Sequence, residues 1–217
     1  MNPAALIGVG VVALAGGGVY ASIRFERKRT EELEQACTAM GFQWLGDGLH
    51  LLPALPLFSK GHGRKVKNAM EGTTADRRVT LLDYTYVTGS GRSQQTHRQT
   101  VAVFPAGARG LPDFTLAPEN FFHKIGQMFG YQDIDFDGDE AFSNAYLLRG
   151  QDEAAIRSAL NAVVRSFLAG SPGWTVQTQQ GAAAVFKGER RCKPAELPSL
   201  LADALRILSG LSPNAPS

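Results

Sequence analysis

Asp133-x-Asp135-x-Asp137-Gly138 is the first stretch of this chain whose side-chain types and spacing could do chemistry. Oxygen donors at alternate positions, with a glycine at the sixth, open like a calcium loop. The pattern then lapses, because the ninth position is Ala141 and the twelfth is Asn144, where a bidentate glutamate belongs. Three close carboxylates still suit a magnesium ion held through one or two ligands. A metal-assisted hydrolase would follow, with His97 or His123 moving protons. The competing reading is an exposed acidic turn, with Ile134 and Phe136 facing a core. A second cluster runs from Lys60 through Gly61-His62-Gly63-Arg64-Lys65-Val66-Lys67. Its glycines free the backbone, and its cations attract an anion. It is not GxxxxGK[ST], and no GxGxxG follows an expected strand. A solvated basic loop is expected, with Lys60, His62, Arg64, Lys65 and Lys67 against anionic lipid headgroups. His97 and Asp83 could approach across a hairpin, but no G-x-S-x-G elbow accompanies them. The same hairpin closure sets Asp83 opposite Arg98 as a cross-strand charge pair. His50, His62 and His123 lack ligand spacing, and Cys37 and Cys192 form no zinc pattern. No cofactor is therefore expected, and both cysteines read as free, buried thiols.

The N-terminus decides where any of these groups would act. Residues 4–23 are uncharged and mostly apolar, and Arg24, Arg27, Lys28 and Arg29 follow at once. About 20 helical residues cross a hydrocarbon core of roughly 30 Å. This run therefore reads as a single transmembrane helix. No positive segment precedes it, which disfavours a cleaved signal peptide. With cations only on its C-terminal side, residues 1–3 are expected as an extracytoplasmic tip. The bulk of the chain is then expected in the cytoplasm. Ala13, Gly17 and Ala21 fall four apart on one helix face. Such a small-residue stripe would let two copies pair, so a homo-oligomer or an assembly factor is among the expected roles.

The remaining elements follow from periodicity. The helix is expected to continue over 24–41, with Leu33, Ala36, Cys37 and Met40 on one side and Gly41 as its cap. An α+β domain over 42–211 and a disordered tail over 212–217 complete the chain. Runs 79–87 and 96–104 predict a central hairpin covered on both faces, and 114–116 and 146–149 predict short strands. A helix beginning at Pro118 and extending to residue 129 is expected. Residues 152–169 predict one helix with Ile156, Ala159, Leu160, Val163, Val164 and Phe167 inward. Runs 174–179 and 182–187 predict a second hairpin, and Pro198 opens a last helix. Strands and helices without strict alternation argue for α+β architecture with a mainly antiparallel sheet. A formal net charge of +2 gives no reason to expect nucleic acid as a partner. Charge is uneven, however: residues 46–125 carry 10 basic and 6 acidic side chains, and residues 126–170 carry 3 and 7.

Four segments carry a resemblance. They are Leu57-Phe-Ser-Lys-Gly-His-Gly-Arg-Lys-Val-Lys-Asn-Ala-Met-Glu-Gly, Leu82-Asp-Tyr-Thr-Tyr-Val-Thr-Gly-Ser-Gly, Gln99-Thr-Val-Ala-Val-Phe and Pro118-Glu-Asn-Phe-Phe. Over residues 55–210 the chain resembles an uncharacterised family of small bacterial single-span membrane-anchored proteins, a domain of unknown function. The resemblance implies a bacterial inner-membrane setting and no reaction. Together these readings predict a membrane-tethered cytoplasmic domain that acts through protein or lipid contact. The metal-assisted hydrolase at Asp133, Asp135 and Asp137 is the alternative.

Overall fold

A computed structural model describes residues 3–48, 52–119, 121 and 133–211, with the backbone alone for 3–19. Helix α1 (Pro3–Ala39) is one unbroken helix of 37 residues, about 55 Å long at 1.5 Å per residue. Its expected continuation past the apolar run is therefore present. Gly41 ends it at φ +68°, where the Phe42 N–H reaches back to the Cys37 carbonyl. Among the described residues no helix is long and apolar enough to cross a membrane. Most of the expected span lies outside the described side chains, as do the pairing positions Ala13 and Gly17. Ala21, the third of that stripe, is exposed.

The architecture is α+β. Strands β1 (Gln43–Gly46), β2 (His62–Thr74), β3 (Arg77–Thr88), β4 (Gln95–Phe104), β5 (Phe114–Ala117), β6 (Leu147–Gly150), β7 (Trp174–Gln179) and β8 (Ala182–Lys187) form one eight-stranded sheet. The order is β1-β2-β3-β4-β8-β7-β5-β6, and every pairing is antiparallel. Side chains alternate between the two faces. One face carries Val79, Leu81, Ala102, Phe104, Val176 and Val185. Over it pack the inner half of α1 and the helices α3 (Glu140–Ser143), α4 (Glu153–Ala159), α5 (Ala162–Gly170) and α6 (Leu197–Gly210). The other carries Leu82, Tyr84, Tyr86, Val101, Val103 and Phe186. Short helix α2 (Pro56–Ser59) covers it through Leu57 and Phe58. The hydrophobic stabilisation sits in these two layers, since fully burying a single Leu or Phe is worth about 1.5–3 kcal/mol.

Three expectations fail, each for a local reason. The basic segment 60–67 is not a loop, because His62–Thr74 is a strand of 13 residues. Two irregularities in its register with β3 hide its alternation, and Asn68 at φ 53° sits in the second. The single helix over 152–169 is two helices. Leu160 leaves helical geometry (φ −91°, ψ 73°), and Asn161 restarts the chain by accepting from the Val163 and Val164 N–H groups. Val163 consequently turns outward and is 74% exposed. The β3–β4 hairpin also closes two residues later than expected, around a turn at Gly91–Ser93. Asp83 therefore stands opposite Thr100, and Arg98 opposite Thr85, so the Asp83–Arg98 pair does not form. Of the helix expected from Pro118, only Pro118, Glu119 and Phe121 are described.

Candidate functional site

A carboxylate in the middle of an interior strand demands a partner, and Asp83 of β3 is 5% exposed. Its partner is Arg29 of α1, 54 residues away. The Arg29 Nε and Nη2 donate to the two Asp83 oxygens at 2.8 Å each, a bidentate fork. Arg29 Nη1 donates to the Cys192 carbonyl at 2.8 Å. Asn68 Nδ2 (3.1 Å) and Thr100 Oγ1 (2.7 Å) supply two more donors to Asp83, filling the acceptor sites of a carboxylate. The bulge in β2 aims Asn68 here, and its Oδ1 accepts from Thr30 Oγ1 at 2.9 Å. Thr100 Oγ1 in turn accepts from the Cys192 N–H at 2.9 Å. One helical turn nearer the N-terminus, Glu26 receives both Arg191 Nη groups at 2.7 and 2.8 Å. Those hydrogen bonds hold the Glu26 carboxyl below the usual carboxylate range and raise the Arg191 guanidinium. Polar contacts from α1, β2, β3, β4 and the segment after β8 thus fix the helix to the sheet.

On the N-terminal side of this junction the helix leaves the body. Tyr20, Ile23 and Phe25 are 63%, 55% and 64% exposed, and Arg24, Arg27 and Lys28 are exposed among them. Tyr20 and Ile23 share one side of the helix and Phe25 faces away from them, so they are singly exposed apolar residues among cations.

The sequence-predicted basic residues divide. Lys65 and Lys67 are exposed and register with Thr85 and Asp83, on the face that carries α1. Lys60 and Arg64 belong to the opposite face. Arg64 Nη1 donates to the Phe58 carbonyl at 2.9 Å. Lys60 Nζ is buried 5.9 Å from the Tyr86 ring centroid, and burial lowers its pKa to about 8. His62 lies exposed at the start of β2, 3.4 Å from Gln94 Nε2.

The acidic triplet does not converge. Asp133 Oδ1 accepts from the Leu148 N–H at 2.7 Å, and burial raises its carboxyl pKa. Asp135 and Asp137 are exposed, while Ile134 is buried in the core and Phe136 packs against it. Among the described residues no three His, Cys, Asp or Glu side chains are grouped to hold a metal ion. His123 lies outside them. His97 is buried and stacked on Tyr86, with Nε2 2.7 Å from Thr88 Oγ1 and Nδ1 2.8 Å from Glu189 Oε1. It makes no contact with Asp83. Both cysteines are buried and free, and burial pushes the Cys192 thiol up to about 11.

Sequence reasoning placed Arg29 among the flanking cations and Asp83 beside the wrong arginine. The available signal was the lone acid inside Leu81-Leu82-Asp83-Tyr84, too buried a context to go without a distant cation.

An all-antiparallel eight-stranded sheet with the longer helices over one face, a short helix over the other and a long N-terminal helix tied to it defines the class of fold. Among solved structures it is shared by the mycobacterial trehalose monomycolate transport factor A, TtfA. The two superpose with a TM-score of 0.64 over 88% of this chain and 98% of that one, at 13% sequence identity, so the likeness is one of fold. That neighbour is bacterial, as are the proteins the four sequence segments resemble. No family model and no curated protein sequence matches the chain.

Proposed function

We propose that this chain is an accessory factor of a bacterial membrane transport process, tethered by α1 and working by contact with protein or lipid. The observation that carries the reading is the junction. A helix that opens with an apolar run is welded to the sheet by Arg29 and Glu26, within six residues of where that run ends. The body then sits at the inner leaflet at a fixed distance and angle. The fold shared with a protein described as a transport factor points the same way.

The test uses the full-length chain in a bacterial host. Alkaline extraction is expected to leave it in the membrane pellet, and a C-terminal reporter is expected to be active only in the cytosol. Proximity labelling from the same C-terminus is expected to mark integral transport proteins. Recovery in the soluble fraction, or a neighbourhood of soluble enzymes only, would overturn the proposal.

A further inference from the structure

The sheet face that bears α1 is divided by the junction. On one side of the Asp83–Thr100 pair it is apolar, with Val79, Leu81, Ala102 and Phe104. On the other it is polar and basic. Lys65, Thr85 and Arg98 stand side by side on adjacent strands, in register, so Lys65 and Arg98 lie about 10 Å apart across two strand spacings. α1 runs over this second half on its way out of the body, because Leu33 and Cys37 pack in the apolar half and Glu26 reaches Arg191 and the field of Lys67. Beside it opens a cleft of about 560 Å³, lined by Gln95, Thr96, His97, Arg98, Glu189 and Arg191. The acids near the cleft are already engaged: Glu26 by Arg191, and Glu189 by His97. Arg98 and Lys65 have no hydrogen bond or ion pair among the described residues. The cleft thus offers the unpartnered Arg98 guanidinium beside the Glu26-held Arg191, with the Thr96 hydroxyl, the Gln95 amide and the Glu189 carboxylate around it.

The geometry points to this cleft as a binding site for the phosphate of an anionic phospholipid headgroup, with Arg98 as the free guanidinium and Arg191 as its neighbour. The source is membrane lipid because of position, and in this the inference rests on the tether proposed above. Arg191 is held by Glu26, three residues past Ile23 where the apolar run ends. Three residues of helix rise about 4.5 Å. The headgroup layer is roughly 5–8 Å deep on each side of the hydrocarbon core. The cleft thus opens at headgroup depth. An occupied headgroup there would fix the rotation of the body about α1 as well as its height.

The experiment uses the full chain in uncharged detergent micelles and follows the Arg98 and Arg191 side-chain N–H resonances by NMR. Dihexanoyl phosphatidylglycerol is expected to shift Arg98 saturably, and Arg98→Gln, an exposed substitution, is expected to weaken binding about tenfold. Lys65→Gln provides a second variant that leaves the cleft intact and is expected to weaken binding less. An equal response to inorganic phosphate would overturn the lipid assignment in favour of a soluble phosphate ester. No saturable response at Arg98 would overturn the site. Because the short-chain lipid reaches the cleft without a bilayer, this outcome is independent of whether α1 spans one, which alkaline extraction decides.

Discussion

Removing Arg29 tests whether the junction is what holds α1 to the body. In Arg29→Met the apolar stem remains but Asp83 loses two of its four donors, keeping Asn68 Nδ2 and Thr100 Oγ1. The stranded carboxylate lies on an interior strand at 5% exposure and cannot swing to water. Deleting one partner of a buried pair costs about 3–5 kcal/mol. At about 2–4 °C per kcal/mol for a chain of this size, the melting temperature is expected to fall by about 6–20 °C. Asp83→Asn is expected to cost less, about 1–3 kcal/mol, because the amide oxygen still accepts from Arg29 and Arg29 Nη1 keeps the Cys192 carbonyl. The double variant is expected to be more stable than Arg29→Met alone, since the unpaired charge is gone. The assay is denaturant unfolding of the full chain in uncharged micelles, followed by Trp44 and Trp174 fluorescence, with a double-mutant cycle on the three variants. A cost below about 1 kcal/mol for Arg29→Met, or a double variant less stable than either single one, would refute the reasoning.

Two further expectations concern stability. Burial lowers the Lys60 pKa to about 8, against about 10.4 in an unfolded chain. The penalty for its charge is then full below about pH 8 and fades as pH rises to about 10.4, because the unfolded state binds the extra proton across that window. Lys60→Met is expected to raise the melting temperature at pH 7, with the gain shrinking between pH 8 and 10.4; a pH-independent difference would contradict the burial argument. Asn161→Ala removes the cap of α5 and the 2.8 Å bond from Nδ2 to the Gly210 carbonyl. A loss of about 1–2 kcal/mol in denaturant unfolding is expected, and no loss would mean that the break at Leu160 does not need its cap.

Much of the fold could be read from local signals. The β7–β8 hairpin turns on Gln180 and Gly181, at φ +50° and +79°, the primed geometry that the glycine suggests. Val79–Val87 and Thr96–Phe104 show as strands through their β-branched and aromatic residues, which serve both faces. β2 did not show, because its glycines, its charges and its two irregularities each contradict a strand pattern taken one residue at a time. It is nonetheless well suited to an edge. β1 covers only its Ala69–Glu71 portion, and Arg64, Lys65 and Lys67 guard the rest against pairing with another chain. The junction was invisible for another reason. Its partners are separated by 54 and 165 residues, and nothing local says that one cation of the four is meant for the interior.

That assignment of a single arginine changes how the basic flank works. Arg24, Arg27, Lys28 and Arg29 follow the apolar run as one group, but only the first three are exposed, and Arg29 is 8% exposed and fully engaged. Arg24, Arg27 and Lys28 stay on the helix surface, with Lys28 3.7 Å from Glu32. The fourth does something no flexible flank could do. A helix joined to its domain by an ordinary linker lets the domain tumble, whereas this helix passes into the sheet without a break and is fixed at Glu26 and Arg29, one turn apart. Rotation about the helix axis is then the rotation of the whole body. The basic half of the sheet, with Lys65 and Arg98, keeps a constant bearing to whatever the outer half of α1 contacts. A rigid joint of this kind is of use only if the body must present one particular side to a surface or partner. It is the strongest physical ground for a role in contact and placement.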